Sequence, residues 1–94
     1  VAGNLEGFLF RDTIFAVEII DAARKHGVSD DSIRHAVEHT LVSEEVGEEP
    51  LRRLFLGPDA AGNLLEVVAI IRTDGTLVAT HAMAMRPKYR ALLP

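Results

Sequence analysis

Cysteine is absent from the 94 residues, which removes a disulfide framework, a thiolate nucleophile and every thiolate-held metal or iron–sulfur site. Long apolar runs are missing as well. The longest, around Leu64 to Ile71, falls far short of the roughly 20 residues that a membrane helix needs. No basic stretch leads into an apolar segment at the start, so nothing reads as a secretory signal. Together these absences give the expectation of a soluble, cytoplasmic protein with no membrane partner. Positive charge is scarce too: 10 Lys and Arg stand against 14 Asp and Glu, for a formal net charge of −4. That balance argues against a general nucleic-acid coat, because gripping many phosphates takes a positive surface.

What is present suffices for one core and not for two, so residues 1–94 are expected to form a single domain. Residues 1–11 show no clear period and read as extended or disordered. Asp12 and Thr13 suit a helix N-cap, and Ile14 to His26 then runs without a breaker to Gly27. At about 100° per residue, Phe15, Ile19, Ala22 and Ala23 would share a buried face, and Asp21 and Lys25 would form an i,i+4 pair. Ser29 is a natural N-cap for a second helix with Ile33, Ala36, Val37, Thr40 and Leu41 inward, completing an αα-hairpin. Residues 43–50 hold four carboxylates, a glycine and a proline, and read as a solvated loop.

Three strands are expected next: Leu51 to Leu56, Leu64 to Arg72 and Leu77 to Met85. The second is nearly continuously apolar, which suggests the central position, and Asp74-Gly75 suits a tight hairpin. Simple alternation puts Leu77, Ala79, His81, Met83 and Met85 on one side of the third strand, with Val78, Thr80, Ala82, Ala84 and Arg86 on the other. Pro87 can open a short basic helix. The expected class is therefore α+β: an N-terminal αα-hairpin, a three-stranded antiparallel sheet and a short C-terminal helix.

Three groups of side chains carry chemistry. His35-Ala36-Val37-Glu38-His39 matches the H-x-x-E-H spacing of inverted zinc peptidases. The same residues lie opposite the Ile33/Val37 stripe, so a solvated helix face accounts for them, and no metal or cofactor is expected. His26, at a helix end, reads either as a structural cap or, with Lys25, as a phosphate ligand. Charge is uneven along the chain: residues 1–71 hold six basic and thirteen acidic side chains, whereas residues 72–94 hold four and one. Within that basic end, His81, Arg86, Lys88, Tyr89 and Arg90 bring an imidazole, a phenol and three cations close together in sequence. RNA cleavage needs such a set: a base for the 2′-hydroxyl, cations for the charged transition state and an acid for the leaving oxygen. The plainer alternative is that His81 packs on the sheet while the cations decorate a wet surface.

The order of elements, the segment Lys25-His26-Gly27-Val28-Ser29 and the tail from His81 through Met85-Arg86-Pro87-Lys88-Tyr89 resemble the BrnT-type toxins of bacterial toxin–antitoxin pairs, within the wider RelE-like ribonuclease group. The resemblance implies metal-independent cleavage of messenger RNA, a sheet flanked by helices and neutralisation by a cognate, DNA-binding antitoxin. It assigns Arg86 to phosphate and Tyr89 to proton donation or base stacking. His81 as proton carrier, Lys88 and Arg90 as phosphate-holding cations, and Lys25 with His26 as further substrate contacts follow from the side-chain chemistry. The expected function is thus an endoribonuclease toxin. The rival expectation is a non-catalytic module that forms an oligomer with a neighbouring gene product.

Overall fold

The structure, a computed structural model, describes residues 17–94. The described chain runs β1 (Glu18–Ile19), a 3₁₀ turn (Asp21–Arg24), α1 (Asp30–Glu38), β2 (Val42–Glu48), β3 (Leu51–Pro58), β4 (Leu64–Ile71), β5 (Leu77–Ala84) and a 3₁₀ helix (Pro87–Leu92). The five strands make one mixed sheet in the order β1-β5-β4-β3-β2. β1 runs parallel to β5, and every other neighbouring pair is antiparallel. This overturns the expected three-stranded sheet with an αα-hairpin. Among the described residues no helix is long and apolar enough to cross a membrane.

The first correction concerns residues 17–26, expected as helix. Val17 and Ile19 are buried while Glu18 and Ile20 are exposed, a period of two rather than 3.6. The β-branched side chains favour that extended state, and pairing of Glu18 with Val78 and Ile19 with Ala79 fixes it. The chain then tightens into the 3₁₀ turn, with Ala23 inserted in the core. Ala22, expected inside, is exposed. Asp21 pairs with Arg24 at 2.6 Å instead of with Lys25, and the Arg24 guanidinium grips Asp30 through two bonds of 2.9 and 2.8 Å. Asp12, Thr13 and Phe15, together with the expected irregularity of residues 1–11, lie outside the described residues.

The second correction is the acidic stretch 43–50. Most of it is β2, an edge strand paired along β3 from Val42↔Leu56 to Glu48↔Leu51. Edge strands need no apolar alternation, and charged side chains on them discourage unwanted pairing. Val46 is an extra, bulged residue between the Glu45↔Arg53 and Gly47↔Arg52 pairs. Gly47 leaves the space into which the Arg52 guanidinium folds.

α1 is the one α-helix among the described residues. Ser29 caps it, its hydroxyl accepting from the Ser32 amide at 3.1 Å, and Asp30 and Asp31 occupy the positive end of the dipole. Ser29→Ala is expected to lower stability by about 1 kcal/mol, readable as a shift of the urea midpoint. Ile33, Ala36 and Val37 bury against Phe55, Leu65, Val67 and Ala69 of the sheet. Thr40 and Leu41, expected on the same inward stripe, follow the helix end. Thr40 donates its hydroxyl to the Val42 and Leu56 carbonyls, and Leu41 is exposed.

β4 lies in the middle of the sheet, as its continuous apolar run suggested. Leu65, Val67 and Ala69 face α1, so Glu66 and Val68 face the other way. That second face is buried too, at Leu54, Leu56, Glu66 and Val78. The β3–β4 loop is pinned by Asp59, whose carboxylate accepts from the Ala61 and Asn63 amides. The Thr76 and Gly75 amides tie the β4–β5 turn to Asp74 and Arg72.

Candidate functional site

The site begins with a break in alternation. Val68 pairs with His81 and Ala69 with Ala79, so Thr80 is left over as a β-bulge. Leu77 and Ala79 face the core before the bulge, and Ala82 faces it afterwards. Unbroken alternation would have put His81 on the core side with Leu77 and separated it from Arg86. The bulge instead turns His81 to the face that carries Glu66. Among the described residues β1 pairs with Val78 and Ala79 alone, so His81 lies past the end of that pairing.

Glu66, a residue outside the expected site, is the centre of the cluster. Its side chain has no exposed surface. Arg86 donates to it from the backbone amide at 2.9 Å, from Nε at 3.0 and 3.2 Å, and from Nη2 at 2.7 Å. His81 Nε2 stands 2.9 Å from the carboxylate. Burial on its own pushes a carboxyl group up, but the Arg86 guanidinium and amide, with His81, outweigh it and hold Glu66 at about 2. The same contact with Glu66 raises Arg86 above its ordinary value. A buried anion without such donors would be far too costly to keep, so the C-terminal segment is fastened to the sheet by this pair.

Other expected residues gather around it. The His26 ring meets the His81 ring edge-on, with centroids 5.7 Å apart and planes at 79°. The Arg86 guanidinium carbon lies 5.7 Å from the Tyr89 ring centroid and Lys88 Nζ lies 5.0 Å from it. The short basic helix is a six-residue 3₁₀ helix opened by Pro87, too short for α-helical ladders but enough to place Lys88 and Tyr89 beside Arg86. Among the described hydrogen bonds and ring contacts, none draws Lys25 or Arg90 into the cluster; both are exposed.

The chemistry available is that of proton transfer beside cations. Two imidazoles lie within reach of one small group, and His81 keeps 29% of its side-chain surface open. Arg86 commits Nε and Nη2 to Glu66, and Nη1 is not used in that grip. The cluster stands on its own geometry. No protein-family model, curated protein or solved structure matches this chain.

The H-x-x-E-H residues are elsewhere, against the β3 end. His35 Nδ1 donates to the Pro58 carbonyl at 2.7 Å, and its ring leans on His39 with centroids 4.1 Å apart. Among the described residues no three His, Cys, Asp or Glu side chains are placed to share a metal ion.

Proposed function

We propose that the protein is a metal-independent endoribonuclease of the toxin type. The observation that carries this reading is the pairing of two imidazoles, His26 and His81, beside the Arg86, Lys88 and Tyr89 side chains. Cleavage then proceeds by internal transesterification. One imidazole removes the 2′-hydroxyl proton, and the 2′-oxygen forms a bond to phosphorus. The bond from phosphorus to the 5′-oxygen breaks, and that oxygen takes a proton from the other imidazole, already in its imidazolium form. The products are a 2′,3′-cyclic phosphate and a 5′-hydroxyl, and no outside oxidant, reductant or metal enters the balance. Lys88 and the Arg86 nitrogen outside the Glu66 grip offset charge on the phosphate oxygens, Arg90 and Lys25 hold flanking phosphates, and Tyr89 stacks on a base.

His81→Ala is expected to reduce RNA cleavage in EDTA by about 10²- to 10⁴-fold, the usual worth of a general acid or base, and to relieve growth arrest on expression. A folded His81→Ala protein that cleaves as fast as the wild type would end this reading. So would a wild-type chain that leaves every RNA intact.

A cognate antitoxin is the proposed partner in a hetero-oligomer. The surface around β2 also favours the second reading, a non-catalytic binding module. Among the described residues its outer edge has no strand neighbour, and Leu41, Val46 and Leu51 are exposed around it beside Glu44, Glu45 and Glu48. A partner segment that suits it is extended and basic. Co-expression with the adjacent gene product should give a complex that Val46→Lys weakens; a complex indifferent to that change would place the partner elsewhere.

A further inference from the structure

We infer that Glu66 is a positioning residue for His81: it holds the imidazole as the Nε2–H tautomer and leaves Nδ1 as the nitrogen that takes the proton from a bound hydroxyl. The identity of that hydroxyl, an RNA 2′-OH, rests on the ribonuclease reading above. The tautomer does not.

The geometry supplies each step. Glu66 is enclosed in the sheet with no exposed side-chain surface, so it cannot touch a substrate. Its oxygens already receive the Arg86 amide, Nε and Nη2, all between 2.7 and 3.2 Å. A carboxyl group met by a guanidinium in this two-pronged way is the anion, and an anion has no hydrogen to give. The 2.9 Å contact between His81 Nε2 and Oε2 therefore carries its hydrogen on the imidazole. In a neutral ring the other nitrogen then holds the lone pair. Of the two groups in that contact, only the His81 ring reaches the surface, with 29% of its side chain open. The His26 ring, edge-on at 5.7 Å, is the second proton carrier beside it. The Thr80 bulge belongs to the same arrangement, because without the extra residue His81 would turn to the core face and lose Glu66.

Glu66→Gln gives a distinctive test. Arg86 can donate only to the amide oxygen, so the amide NH₂ is presented to His81 Nε2. That nitrogen must then accept, and the ring proton moves to Nδ1. The full-length chain, labelled with ¹⁵N, is examined by long-range proton–nitrogen NMR at a pH where the His81 ring is neutral. Wild type should show a protonated Nε2 and a bare Nδ1, and Glu66→Gln the reverse. With RNA as substrate, kcat of Glu66→Gln should fall by at least about 100-fold while KM changes far less, since a wrongly protonated base disables the chemical step and not binding.

Wild-type His81 found as the Nδ1–H tautomer, or as an even mixture, overturns the assignment, and this measurement needs no variant to fold. An Nε2–H ring in a protein without RNA-cleaving activity supports the role of Glu66 and removes the ribonuclease reading. Cleavage that depends on His81 in a protein with the Nδ1–H ring does the opposite.

Discussion

Glu66→Ala should lower folding stability by about 3 kcal/mol at pH 7, near the lower end of the cost of breaking a buried ion pair. Arg86 keeps 43% of its side chain exposed and can return to water once its partner is gone, which limits the loss. The dependence on pH gives an independent measure of the same contact. The folded carboxyl sits at about 2, below its ordinary 4.5, so ionised Glu66 favours the native state. Its contribution is complete above about pH 4.5 and is lost as pH falls from there through 2, by about 3 kcal/mol in all. Urea unfolding at pH 7, 5 and 3 should thus show a steep fall for wild type and a shallower one for Glu66→Ala. Asp30, Asp59 and Asp74 also lie below the ordinary value, held there first by Arg24, by the Asn63 amide and by the Thr76 amide respectively. They act with the same sign in both proteins, so the difference between the two curves belongs to Glu66. Parallel curves would mean that the Arg86–Glu66 grip contributes nothing to folding.

The reverse change separates charge from shape. Arg86→Ala leaves the anion buried with His81 and one backbone amide, so the Glu66 carboxyl should move upward and take a proton more readily. The three groups form a unit, and the single losses should not add in the double variant.

The β3–β4–β5 meander was legible because its signals are local: β-branched apolar runs, Asp74-Gly75, and the loop around Gly62. Ser29 and the Ile33/Ala36/Val37 stripe likewise identify α1. β2 was hidden because Glu44, Glu45 and Glu48 obey no inward pattern at a sheet edge, where pairing with β3 decides the conformation. β1 was hidden because two paired residues are too few to compete with the helical period of the longer stretch. In the site, Arg86, Lys88 and Tyr89 are neighbours in sequence and were readable together. His26 reaches His81 through tertiary packing alone. Glu66 did leave a signal: it is the single charged residue in the Leu64–Ile71 run of the central strand, and a carboxylate there demands a buried cation. The Thr80 bulge left none, since counting residues along β5 cannot show that one of them is unpaired.

A different kind of dependence holds α1 against the sheet, and Gly57→Ala should reveal it with a loss of about 3 kcal/mol, the upper end of what overpacking costs. Gly57 lies in β3 opposite Leu65, buried, with its missing side chain directed at α1. A Cβ there would overlap the Ala36 carbonyl oxygen and come within 3.0 Å of the Thr40 Cα. Both are backbone atoms, one in the last turn of α1 and one just past its end, so no rotamer change relieves the clash and the helix must lift. Lifting it strips Ile33, Ala36 and Val37 from the core and stretches the bond from His35 to the Pro58 carbonyl. Gly62→Ala supplies the control, because Gly62 has a φ of +89° and open space around its Cβ position. It should lose only the backbone term, about 1 kcal/mol. Glu66 and His81 lie on the face away from α1, so the difference between the two urea midpoints reports helix docking rather than the chemistry of the site. Equal losses in the two variants would show that α1 can shift without cost, and that this glycine is kept for some reason other than the close approach of helix and strand.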